Sequence, residues 1–197
     1  MRLTKQAKVL SSHEQSIVKE HLQKMRHSKK DLVIFFLSVK AGLRAKEITG
    51  LTWEMVCTPT GELDDMIKLP NNASKGKYSG REIPLNKELK EALAELRSSN
   101  ADKTNMKEYV IKSERGKQMA AHSIVCFFRA LYQKCGLIGC SSHSGRRTFI
   151  TNAARKVSTV GGSLKDVQEL AGHSTLGMTQ RYIDSNAEAK KKLINLI

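Results

Sequence analysis

Apolar positions in the first fifty residues recur at helical spacing. Ile17, Val18, Leu22 and Met25 form one stripe, and Ser12 with Gln15 ahead of it has the S-x-x-Q form of a capping box, so a first helix is predicted there. Basic residues follow at Lys24, Arg26, Lys29 and Lys30. The segment 32–39 is apolar on every side and closes toward Gly42, which predicts a buried second helix. A third, short helix is predicted from Arg44, because Ile48 and Leu51 share one side and Lys46 is left for solvent.

The texture changes between residues 52 and 85. Apolar residues fall in twos and threes, punctuated by Pro59, Gly61, Pro70, Asn71, Asn72, Gly76 and Gly80, and three strands are predicted near 53–57, 66–69 and 81–85. The basic segment 75–77 lies on the connection between the last two. The remainder reads as helix. Leu89, Leu93 and Leu96 make one stripe, and Ile124, Val125, Phe128, Leu131 and Tyr132 make another that ends at Gly136. A helix runs from after His143 to about Lys156. Past Gly161 and Gly162 comes a helix over 163–171 stopped by Gly172, then a last pair of short helices. The expected fold class is mainly α (α+β): one domain, a helical bundle with a small three-stranded antiparallel sheet. In the tail, 187–197, Lys190, Lys191 and Lys192 accompany Leu193, Ile194, Leu196 and Ile197, an amphipathic segment suited to docking on its own domain or a neighbour.

Charge narrows the partner. The chain of 197 residues carries 34 Lys and Arg against 19 Asp and Glu, a net +15, which points to a polyanion, nucleic acid first. An apolar share of 40% fits a folded domain rather than a disordered basic tail. The longest apolar run, 32–37, is far short of the roughly 20 residues that cross a bilayer, and no leader opens the chain, so no membrane partner and a cytoplasmic location are expected. Cys57, Cys126, Cys135 and Cys140 contain no Cys-x-x-Cys pair and no His at zinc-finger spacing, and are read as plain reduced thiols with no metal role.

The candidate chemistry sits in three short motifs. Gly42-Leu-Arg44-Ala-Lys-Glu47-Ile48 opens the third helix. His143-Ser-Gly-Arg146-Arg147 places a His and an Arg three apart, one turn along a helix face. Gly172-His173 ends a helix, with Tyr182 nine residues on. Each alone is weak, since a lone His or Tyr is more often packing than chemistry. Together and in this order they resemble the tyrosine recombinase (phage integrase) family, over residues 12–184, the extent of that family's catalytic domain. The separate N-terminal core-binding domain of most members is absent from this chain, so a single-domain member or an excised catalytic domain is expected, with 185–197 as a tail exchanged between protomers.

The resemblance implies a DNA breaking-rejoining fold and a set of roles. Tyr182 is the nucleophile that forms a 3′-phosphotyrosyl link. Arg44 and Arg146 neutralise the phosphate, and their planar forks suit bidentate contact with its oxygens. His173 donates to a non-bridging oxygen, and His143 assists proton movement near the nucleophile. A hairpin lysine serves as general acid toward the leaving 5′ oxygen; Lys75 is the closer match and Lys77 the alternative. Glu47, one turn after Arg44, supports the site. Arg147 stands where many members carry a second His and is read, with Lys77, as a DNA contact. The stretch 156–163 looks like a slightly enlarged loop.

The same resemblance implies cofactor-independent strand transfer on double-stranded DNA. It also implies four protomers assembled on DNA, an accessory DNA-bending protein, and a bacterial or phage-encoded, nucleoid-associated protein. Two rival readings differ in outcome: a type IB topoisomerase-like relaxing activity, and a non-catalytic DNA-binding regulator that keeps the fold. A binder has no need of the phenol, so Tyr182→Phe separates them.

Overall fold

The computed structural model describes residues 6–71, 80–99 and 105–183, together with 191, 194 and 195. Eight helices are described: α1 (Ser12–Gln23), α2 (Ser28–Val39), α3 (Ala45–Gly50), α4 (Lys87–Ser98), α5 (Ala121–Lys134), α6 (Ser144–Lys156), α7 (Leu164–Ala171) and α8 (Leu176–Gln180). The described strands are β1 (Met66–Leu69) and β2 (Arg81–Pro84), paired antiparallel with Ile67 opposite Ile83 and Leu69 opposite Arg81. The mainly helical class with a small antiparallel sheet is therefore as expected.

Helix α2 is the hub. Every residue from Val33 to Val39 is buried, as befits a helix apolar on all sides, and α1, α3, α4 and α6 pack around it. Its approach to α6 is close enough to demand a glycine: a Cβ on Gly145 would lie 2.2 Å from Ser38 Oγ. Gly145→Ala is expected to cost about 1–3 kcal/mol through forced separation of the two helices. The melting temperature should then fall by roughly 3–10 °C, and an unchanged value would show that the helices can part freely.

Two apolar clusters result. The large one gathers α1 to α5 and the sheet; the small one joins Ile150 of α6 with Val167 and Ala171 of α7, flanked by Phe149, Val157 and Tyr182. The N-terminal segment joins the large cluster through buried Leu10, whose N–H donates to Thr148 Oγ1 of α6 at 2.8 Å, while Lys8 N–H donates to Gly139 O at 3.3 Å.

Several expectations are corrected. The segment predicted as a first strand, 53–57, begins as a 3₁₀ turn (Trp53–Met55), and of it only Cys57 makes a β-bridge, to Leu63. The reason is legible afterwards: the buried residues are Trp53, Val56 and Cys57, spaced i, i+3, i+4 rather than alternating. Among the described residues the sheet thus has two strands, not three. The first capping box lies one residue earlier than predicted. Glu14 Oε2 accepts from Ser11 N–H at 2.8 Å and Ser11 Oγ accepts from Glu14 N–H at 3.2 Å, a carboxylate being a stronger acceptor than the Gln15 amide.

Val125 is 39% exposed, since its neighbour Ile124 occupies the core-facing position and successive helical residues point 100° apart. The loop 156–163 is a 3₁₀ turn (Val157–Val160) closed by Gly161 in the left-handed region. Of the last pair of short helices, α8 is described, and the tail 185–197 lies outside the described residues apart from Lys191, Ile194 and Asn195.

Candidate active site

Arg146, on the first turn of α6, is 5% exposed and spans the seam between the clusters. Its Nη1 donates to Gly42 O and its Nη2 to Ala171 O, each at 2.6 Å. Burial, followed by the positive charge of Arg44, lowers its pKa to about 10, so it stays charged at neutral pH. Gly42 turns the chain after α2 with φ +65°, packed under the Phe149 ring, and this presents its carbonyl to Arg146.

Arg44 is the residue before α3, and Glu47 is the third residue within it. Glu47 is 1% exposed and accepts from Arg44 N–H at 2.8 Å and from Arg44 Nη1 at 2.9 Å. It also accepts from Arg81 Nη1 at 3.1 Å and Arg81 Nη2 at 3.0 Å, in bidentate fashion. Arg81 was not singled out by sequence. The signal available was strand parity: Arg81 shares the inward face of β2 with Ile83, and an inward-facing charge at a strand start requires a buried acid. Its Nε further donates to Leu170 O at 2.9 Å. Arg81 and Arg146 thereby satisfy the last carbonyls of α7, where the helix dipole favours cations.

Helix α7 stops at Gly172, whose φ of 60° is left-handed and whose missing Cβ would come within 2.7 Å of Arg81 Nη1. His173 follows directly. It is 7% exposed, its ring Nδ1 lies 3.0 Å from Thr179 Oγ1, and Gln168 Nε2 donates to its carbonyl at 3.0 Å. Burial, then the charges of Arg146, Arg44 and Arg81, lower its pKa to about 4. The imidazole is neutral at pH 7, able to donate a hydrogen bond while carrying no charge.

Tyr182 completes the group. Its ring stacks on His173 with centroids 5.5 Å apart and planes at 24°, and the Arg147 guanidinium sits over it, 5.8 Å from the centroid. Arg147 also donates to Gln6 Oε1. The Tyr182 backbone is held at both ends, its N–H by Thr179 O at 3.0 Å and its carbonyl by Thr151 Oγ1 at 3.2 Å.

The structure therefore brings together Arg44, Glu47, Arg146, His173 and Tyr182, adds Arg81, and places Arg147 over the phenol ring. His143 is the exposed residue just before α6, its backbone N–H donating to Ser141 Oγ at 3.3 Å. Its ring makes no hydrogen bond among the described residues. Lys75 and Lys77 lie in the segment 72–79, outside the described residues, so the choice between them stays open. The four cysteines are free thiols.

Three arginines around one buried carboxylate, beside a neutral imidazole and a phenol, make a cationic cluster suited to an anion. The sequence profile of the phage integrase family matches residues 8–189, and the chain belongs to that family. The tyrosine recombinase XerC of Lactobacillus leichmannii is 29% identical over 150 residues, which cover 76% of this chain and 48% of that protein.

Among solved structures, the XerA recombinase superposes with a TM-score of 0.72 at 22% identity, covering 100% of this chain and 65% of that one. The Tn1549 transposon integrase, solved with transposon right end DNA, superposes with a TM-score of 0.75 at 21% identity, covering 98% of this chain and 67% of that one. These likenesses establish the fold. The chain spans about half the length of the XerC relative it matches. Among the described residues no helix is long and apolar enough to cross a membrane.

Proposed function

We propose that this chain is the catalytic domain of a site-specific DNA recombinase or integrase that cuts and rejoins strands through a 3′-phosphotyrosyl intermediate. The observation that carries the reading is the convergence of the Tyr182 ring on His173 beside the Arg146 guanidinium. A phenol with an ordinary pKa of about 10 is a poor nucleophile, and a cationic surround is what its attack requires. The Tyr182 oxygen attacks phosphorus, the bond to the 5′ oxygen breaks, and the departing 5′-hydroxyl takes a proton from the hairpin lysine, Lys75 or Lys77. Arg44 and Arg146 neutralise the growing charge on the non-bridging oxygens, and His173 donates one hydrogen bond to them. His143 is suited to accept the phenol proton. Glu47 is the positioning residue that holds Arg44. Rejoining runs the same steps backward, so the phosphotyrosyl bond conserves the energy of the original link.

The likeness to the Tn1549 integrase, which was solved on DNA, supports duplex DNA as partner. The charge of +15 supports it independently and implies binding that weakens steeply with salt. Exchange between two duplexes needs four strand cuts, hence four protomers, the tail 185–197 being the segment to swap between them. An accessory DNA-bending protein and a place on the bacterial nucleoid belong to the same reading.

The experiment that tests the function supplies two labelled duplexes from the DNA flanking the protein's own gene, and in parallel a supercoiled plasmid. Recombinant duplexes that disappear with Tyr182→Phe are expected. Relaxed plasmid without recombinants would instead favour a type IB topoisomerase-like activity. Tight binding that is indifferent to Tyr182→Phe, with no strand cut, would identify a regulator.

A further inference from the structure

We propose that Thr179 is a positioning residue that fixes the His173 imidazole in the tautomer with its proton on Nε2, making that nitrogen the hydrogen-bond donor of the site. This rests on the recombinase reading for its meaning, though not for its geometry. Thr179 is fully buried, and its Oγ1 lies 3.0 Å from His173 Nδ1. Two arrangements fit that distance. In one, Nδ1–H donates to the hydroxyl oxygen; in the other, the hydroxyl donates to an unprotonated Nδ1.

Burial decides between them. If Nδ1 held the proton, the Thr179 hydroxyl hydrogen would need another acceptor, and among the described residues no carbonyl or carboxylate takes it. An unmade bond at a site with no access to water is the costlier state. Donation from Thr179 to Nδ1 satisfies both atoms at once. It leaves Nε2–H, which makes no hydrogen bond among the described residues, available to an incoming oxygen. The same threonine ties the imidazole to the nucleophile. Its carbonyl accepts from Tyr182 N–H at 3.0 Å, one turn along, while the Tyr182 ring stacks on the imidazole at 5.5 Å. Gln168 clamps the His173 backbone from the other side, donating to its carbonyl and accepting from its N–H, each at 3.0 Å. The imidazole is thus held in position and in protonation pattern before any DNA arrives.

The test uses the full chain labelled with ¹⁵N-histidine, without DNA, in a long-range proton–nitrogen correlation spectrum at pH 7. Wild type and Thr179→Ser are expected to show His173 protonated on Nε2. Thr179→Val, which keeps the shape and removes the donor, should show a mixture of tautomers. Single-turnover cleavage of a nicked duplex should fall about tenfold in Thr179→Val, less than the roughly 10²–10³ of deleting a transition-state donor outright. DNA affinity should be unchanged, and Thr179→Ser should recover the rate. A wild-type imidazole protonated on Nδ1, or a Thr179→Val spectrum identical to wild type, would overturn the proposal. Should Thr179→Val not fold, the spectra of wild type and Thr179→Ser decide it. Should wild type cut no duplex, the recombinase reading fails while the spectrum still reports the tautomer.

Discussion

Arg146→Lys is expected to slow strand cleavage by roughly 10²–10³, with DNA affinity almost unchanged. The two terminal nitrogens of Arg146 reach two different carbonyls, Gly42 O and Ala171 O, each at 2.6 Å. Those bonds fix the guanidinium plane and leave its remaining donors for a phosphate. A lysine brings one nitrogen on a flexible stem, and cannot join the α2 turn to the end of α7 while also meeting an anion with planar geometry. Binding draws on charge spread over the whole chain, which is +15, so the loss should fall on the chemical step. Single-turnover cleavage and an independent binding titration separate the two. Equal losses in both would mean that Arg146 serves ground-state binding alone.

Glu47→Ala is the second large effect, and it falls on the fold. The Glu47 carboxylate is 1% exposed and bonds both Arg44 and Arg81, the Arg81 side chain being 5% exposed. Removing it leaves buried positive charge facing the nearby Arg146 without its counter-charge. Deleting one member of a buried ion pair costs about 3–5 kcal/mol, equivalent to roughly 10 °C in melting temperature for a chain of this size. Sulfate or phosphate, which the emptied anion site should attract, is expected to restore part of that loss and to stabilise Glu47→Ala more than wild type. A loss below about 1 kcal/mol would show that water or another acid takes over the role.

Gly42 and Gly172 announce helix ends with Arg44 and His173 beside them, but those local signals are weak singly, and it was the order of the three motifs and their resemblance to the family that singled these residues out. Glu47 was legible as one turn from Arg44. That it sits in the core, between two guanidiniums, follows only once β2 packs against α7. Arg81 shows the limit most clearly. It lies 34 residues from Glu47 in the chain, and nothing local pairs them. Likewise nothing local places the Arg147 guanidinium over the Tyr182 ring, a contact between residues 35 apart in the chain that only the fold makes. The first strand failed for a different reason. Trp53, Val56 and Cys57 carry helical spacing, and the Trp53 and Glu54 N–H groups donate to Glu108 O and Met106 O, a pairing set by distant chain.

Tyr182 is expected to become covalently joined to DNA, and trapping reads that bond. Nicked duplexes from the DNA flanking the protein's own gene are incubated with the full chain in EDTA, the mixture is denatured, and adducted peptide is identified by mass. A 3′-phosphotyrosyl adduct on the peptide containing Tyr182, formed without metal and lost in Tyr182→Phe, is the expected result. Tight binding with no adduct on any duplex, or an adduct that persists in Tyr182→Phe, would contradict it.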